Sequence, residues 1–582
     1  MLYGDYDLRR GDSDAKRTWG GAKRGIAQGQ VTGNATTTLS AAAPVADLQR
    51  DLATLGFALV KGASTGEFDN LTEWAVRELQ CYAKMNVVAK EDPAAKGTYI
   101  ERLSAVATGA DRYAGHVSGC VNAGLRAAMA HWLAEEWRCP VVLDAWSTGK
   151  AAKREMENVW IHDEVKHGGF VIKARDFSGY YLDQKATDPL WNVAKSTRFG
   201  SSYGPVGDPT LAWPEVEVSP QLVFGNDFDA LDSARKSTFR VIRCVSEIEC
   251  MGFFDIINAY DRAVVSTGLV HWTFLDGSGE LSELLAQVAT AAPADYAKAF
   301  TFFGLDVRAT GPAGKVDPVR VKLEDEDGKF RPIVEHPRAA TSEEKELKQE
   351  ELDRLDYVRN WHWCYRFVMA ARTIASYRRE MWEKVMQRIR TIRRAEVEGV
   401  GTVSFVAEDG TTKVRPATIG EVLTSELAMG ILLRWHVLSP AGIVASKAKA
   451  GKAVNNALKS AKAATASLHW SSTPSAWGQA EEDAFIKALK EEATGGSKEM
   501  QESIPKVSAF PGTGLSQWKL DRAKLGALST KRDSFELAVD GPPGYGYAFA
   551  DDPLNAGGFG VNDATVQVRP GPVRATILQT KR

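Results

Sequence analysis

The chain has no surplus of either charge. Lys and Arg number 72 against 74 Asp and Glu, a net charge of −2. Nucleic acid and anionic membranes favour a strongly basic face, so neither is an expected partner. No run of about 18 apolar residues occurs, which excludes a membrane-spanning helix by hydropathy and predicts no membrane insertion. Six cysteines, at 81, 120, 139, 244, 250 and 364, form no CxxC pair and no zinc-ligand spacing with histidine. They are expected as buried free thiols in a protein that needs no metal or organic cofactor. The first residues, MLYGDYDLRRGDSDAKRTWGG, lack the apolar core of a secretory signal. There is no P-loop, GxSxG or dinucleotide fingerprint in a strand–helix setting, and no fixed-period repeat.

What is present is a soluble-protein composition, 44% hydrophobic and 25% charged over 582 residues. That length exceeds one core, and at roughly 100–200 residues per domain it predicts several. The expected fold class is α+β, predominantly α, and multidomain. Residues 1–43, rich in Gly, Ala and Thr, read as a flexible leader. A compact helical unit follows at 44–85, and a mixed α/β region at 111–222. A long helical region occupies 226–495, and a Gly/Pro-rich region ends the chain at 505–582. The Ala/Lys stretch 446–466 predicts an exposed helix or linker.

The unit at 44–85 carries the most specific pattern. Val45, Leu48, Leu52 and Leu55 recur at helical spacing, and Gly56 sits where a helix ends in a left-handed residue. Gly66, Phe68 and Asp69 mark a turn. Thr72 then opens a second helix with Trp74, Ala75, Val76, Leu79 and Gln80. The elements Leu48-Gln49, Leu55-Gly56-Phe57, Gly66-x-Phe68-Asp69, Thr72 and Leu79-Gln80 resemble the small three-helix peptidoglycan-binding domain. The resemblance implies wall binding through a shallow groove, with Leu48, Gln49, Phe57, Phe68, Asp69 and Trp74 as its residues. Peptidoglycan is then the expected partner. The chain would be made in the cytoplasm and reach the wall after lysis, in a phage particle or through a contractile injection apparatus.

A second stretch, Phe239–Leu275, suggests chemistry. Val241, Ile242, Val245 and Ile248 form one helix face, and Glu249 continues it. Arg240, Arg243 and Glu247 fall on the opposite face, where Arg243 and Glu247 are spaced for an exposed ion pair. An acid on an apolar face has its charged form disfavoured, as glycosidic general-acid catalysis requires. A hairpin-like segment follows, with Tyr260, Asp261, Ser266, Thr267, Gly268, His271 and Trp272.

This arrangement resembles the lysozyme-like superfamily. The resemblance implies a helical catalytic domain that cleaves the bond between N-acetylmuramic acid and N-acetylglucosamine, as a muramidase or a lytic transglycosylase. Glu249 would be the acid and Asp261 its assistant. Tyr260, Ser266, Thr267, His271 and Trp272 would contact sugar. The alternative is a non-catalytic wall-binding component of a phage or contractile injection particle. Two features read as solvated surface: the cluster His162, Asp163, Glu164 and His167, and the arginines of 351–394, among them Arg378 and Arg388.

Overall fold

The structure is a computed structural model. It describes residues 3, 7–16, 19–20, 43–55, 57, 65–85, 87–91, 98–103, 113–138, 143–147, 172–176, 199–203, 216–258, 265–274, 280–307, 322–332, 357–358, 363, 366–367, 370–371, 374–407, 409–470, 473–514, 518–538 and 573–574. The chain is mostly helical with small sheets.

The first unit holds α1 (Pro44–Thr54) and α2 (Asn70–Met85). Pro44 at the first position of α1 costs no hydrogen bond, since that N–H has no helical partner. No α1 neighbour caps the helix. Asp14 does so from the leader: its carboxylate accepts from Val45 N (3.1 Å), Ala46 N (2.9 Å) and Trp19 Nε1 (2.8 Å). The leader is thus partly docked, with Leu8 fully buried and bridged to Val121. Asp14→Ala is expected to cost about 1 kcal/mol by loss of the cap, and Asp14→Asn to restore most of it. Urea midpoints of the three proteins check this.

Among the described residues of 44–85 there are two helices, and α3 (Ala123–Ala134) packs against them. The Phe57 ring lies 6.0 Å from Trp132 on α3 and 6.1 Å from Tyr82 on α2. The reason lies in α2, whose residues from Ala75 to Ala83 are all buried. It needs apolar and polar partners on every side, more than α1 can provide.

Strands β1 (Val87–Glu91), β2 (Thr98–Leu103), β3 (Trp137–Arg138) and the short strand Val573–Arg574 form one sheet, in which Val573–Arg574 pairs with β2, β2 with β1 and β1 with β3. A six-stranded sheet runs in sequence order through β4 (Leu143–Ser147), β5 (Ile172–Asp176), β6 (Phe199–Tyr203), β7 (Ile257–Asn258), β8 (Ser266–Thr267) and β9 (Trp272–Thr273). This sheet crosses the expected boundary at 222, because β6 pairs with β7. A three-stranded sheet of β10 (Leu305–Asp306), β11 (Lys322–Glu324) and β12 (Phe330–Pro332) abuts α2: Arg77 Nη1 donates to Glu324 O (3.1 Å).

The helical body contains α4 (Ser233–Cys250), α5 (Glu280–Ala291), α6 (Ala375–Arg394), α7 (Glu426–Leu438), α8 (Lys452–Ala464), α9 (Gln479–Thr494) and α10 (Lys498–Ser508). The Ala/Lys stretch is a packed helix, α8. Ala453, Ala457 and Ala461 recur every four residues and are buried with Val454 and Leu458, since small side chains let α9 approach closely. The tail also docks as far as Ala538, whose N–H donates to Thr238 Oγ1 (2.8 Å) on α4. One buried cluster runs from Tyr3 to Ala538.

Candidate functional sites: the first helical unit and the Glu249 cluster

Within 44–85 the fold consumes most of the residues expected to bind. Leu48 and Phe57 are fully buried, and Phe68 is 2% exposed. Gln49 is buried and saturated. Its Nε2 donates to Glu67 O (2.9 Å) and Thr72 Oγ1 (3.0 Å), and its Oε1 accepts from Gly66 N (3.1 Å). That set ties α1 to the turn and to the start of α2. Asp69 is the N-cap of α2, accepting from Thr72 N (2.9 Å) and Thr72 Oγ1 (2.8 Å).

What α2 leaves at the surface is short. Asn70, Leu71 and Trp74 share one side of its first turns and are partly exposed. Beyond them the polar side chains turn inward. Glu73 pairs with Arg77 (2.9 Å), and Glu78 with Arg366 (3.3 Å). Gln80 donates to Cys120 O (2.9 Å) and accepts from Gly119 N (2.9 Å). Burial pushes the Glu78 carboxyl up to about 7, against the pull of Arg366. Of the expected residues, Trp74 and Asp69 keep partial exposure, and the Asp69 carboxylate is engaged in capping α2, which leaves Trp74 as the candidate contact.

The second candidate lies at the end of α4. Met251 (φ 55°) and Gly252 (φ 76°) both take left-handed backbone, and Gly252 N closes the helix on Ser246 O (3.0 Å). A Cβ at Gly252 would come within 2.7 Å of Arg243 Cζ. The Glu249 side chain is 8% exposed, no more buried than that of Glu247 at 7%. Its partners were not legible locally. The Arg434 guanidinium on α7 binds its Oε1 directly, and also reaches Glu499 of α10 at 3.5 Å. His271 Nδ1 stands 3.7 Å from Glu249 Oε2. Burial pushes the Arg434 group down to about 10, with Glu499 pulling the other way, so it stays charged at neutral pH. Burial lowers His271 to about 4, leaving it neutral there.

The hairpin expected after Glu249 exists as β8 and β9, but its side chains point inward. Ser266 is 4% exposed and Thr267 fully buried, its Oγ1 donating to Ile256 O (3.0 Å). Trp272 is fully buried beneath Arg388 (4.6 Å from its ring centroid), so it presents no face to a sugar. Among the described residues of the expected set, the fold brings His271 alone to Glu249. Tyr260 and Asp261 lie outside the described residues, as does the cluster His162–His167. Among the described residues no group of His, Cys, Asp and Glu could hold a metal ion.

The polar face of α4 is also covered rather than solvated. Arg243 and Glu247 do pair (2.8 Å), but both are buried. Arg243 also binds Glu217 (2.9 Å), and Glu247 also accepts from Arg522 Nε (2.9 Å). Arg378 is fully buried and Arg388 6% exposed, so two arginines expected on a solvated face are internal. Arg434 was the missed residue. A lone Arg inside the apolar run ILLRWHVL was its signal, since an unpaired charge there demands a partner.

Comparison with known proteins gives one match: residues 41–87 fit the family model described as a putative peptidoglycan binding domain. No curated protein and no solved structure matches the chain. The match covers α1 and α2 and does not extend to α4 or the hairpin. No helix among the described residues is long and apolar enough to cross a membrane.

Proposed function

We propose that this protein attaches to peptidoglycan through its peptidoglycan-binding domain at 41–87, with Asn70, Leu71 and Trp74 making the contact. The observation that carries the reading is the coincidence of the family match with a tryptophan that stays partly exposed at the start of α2. An indole face packs against the C–H face of a sugar ring, and the neighbouring Asn70 amide can serve its hydroxyl or N-acetyl groups. Co-sedimentation with purified sacculi tests it. Trp74→Ala is expected to weaken retention about tenfold while the circular dichroism spectrum stays unchanged. Undiminished retention would remove Trp74 from the site.

Glycan cleavage is the second reading. It rests on the near-complete burial of the Glu249 carboxyl and on His271 beside it. In that reading Glu249 is the general acid and Asp261 its assistant, in a muramidase or lytic transglycosylase. The Arg434 guanidinium opposes it, because a cation on the carboxylate favours the ionised form over the proton donor. Attachment without chemistry, as in a wall-gripping component of a phage or contractile injection particle, makes no demand on Glu249. New reducing or anhydro ends after incubation with sacculi, absent with Glu249→Gln, would favour cleavage. No new ends with wild type would leave attachment alone.

A further inference from the structure

The three large hydrophobic side chains exposed among the described residues sit on one hairpin: Phe405 (38%), Val406 (72%) and Val414 (66%). Strand β13 (Thr402–Val406) pairs with β14 (Thr412–Pro416), and these two strands make the whole sheet. Among the described residues no further strand pairs with either long edge. A bare two-stranded ribbon with apolar side chains in water is marginal by itself and is a template for another strand.

The two edges differ. Ala407 N donates to Thr411 O and Ala417 N to Gly401 O, so the odd-numbered residues of β13 bond inward to β14. The N–H and C=O groups of Thr402, Ser404 and Val406 therefore point outward. Strand β14 carries the usual guards against pairing, Lys413, Arg415 and Pro416. Strand β13, TVSFV, carries no charge and no proline.

We propose that β13 pairs antiparallel with β13 of a second copy of this chain, about a two-fold axis through Ser404. This register satisfies every outward group. Thr402 of one copy faces Val406 of the other, and Ser404 faces Ser404, each pair exchanging two backbone hydrogen bonds. Val403 then stands opposite Phe405 in the closely spaced pairs, an aromatic and β-branched contact on the second face. A charged strand would set like charges against each other across the axis, and β13 has none. The two cations of the hairpin are each paired, Lys413 with Asp409 (3.1 Å) and Arg415 with Glu421 (2.7 Å), so the ribbon offers no free basic patch to an anionic lipid surface. A four-stranded sheet results, and the dimer carries two copies of any wall-binding domain, which raises avidity without new contacts. The pairing itself stands whether or not the chain binds wall.

Sedimentation velocity on the full-length protein tests it. The expected mass is twice 63.4 kDa. Ser404→Pro removes an outward N–H and no inward ladder bond, and is expected to return the mass to 63.4 kDa with an unchanged circular dichroism spectrum. A wild type at 63.4 kDa overturns the proposal, as does a folded Ser404→Pro that remains double. Ser404→Cys gives a test free of that substitution. Hydrogen-bonded antiparallel pairs hold Cα atoms about 5.5 Å apart, within disulfide reach. Mild oxidation is expected to cross-link it above the background of wild type, whose Cys120 is partly exposed. No cross-link above that background overturns the register.

Discussion

Arg243→Met is expected to lower the unfolding free energy by about 3–5 kcal/mol. Arg243 is fully buried and holds four groups at once. Its Nε donates to Glu247, its Nη2 to Glu217, and its Nη1 to the carbonyls of Val218 and Gly252. Methionine fills much of the volume but strands Glu217, whose side chain is 7% exposed. Glu247 keeps Arg522, so the loss falls mainly on the junction between residue 217 and the end of α4. Glu217 also accepts from Lys519 N (2.8 Å), which ties down the C-terminal segment. Denaturant unfolding reads the loss. A change below about 1 kcal/mol would mean that this network does not hold the segment to α4.

Phe57→Ala is expected to cost a similar amount, about 3–5 kcal/mol, by opening a cavity between α1, α2 and α3. The ring is fully buried between Tyr82 and Trp132. Because it locks the peptidoglycan-binding domain onto α3, its loss is also expected to reduce retention on sacculi. Trp74→Ala should separate the two effects, lowering retention with little change in stability. If Phe57→Ala destabilised the chain and left retention intact, the domain would bind without α3.

Local pattern revealed the elements, and long-range pairing decided their roles. The stripe Val241, Ile242, Val245, Ile248 and Glu249 identified α4, but the helix is covered on both sides, and Glu249 (8% exposed) is no more buried than Glu247 (7%). The sequence could not show that Arg434, 185 residues away, meets that carboxylate. The same limit misled the reading of Arg243 and Glu247. Their spacing predicted the pair, but Arg522, 275 residues from Glu247, and Trp518 cover it. Trp272 looked like a sugar platform because aromatic residues in polar segments suit ligands. The hairpin instead turns it beneath Arg388 on α6. In the first unit the pattern was specific because its chemistry is local: Asp69 caps a helix three residues ahead, and Gln49 closes a nearby turn.

Hydrogen–deuterium exchange with soluble glycan fragments of peptidoglycan tests attachment most directly. The account predicts slowed exchange at 70–74 of α2, with α4 and the 265–274 hairpin unchanged. Protection centred on Glu249 and His271, or none in the first unit, would contradict it.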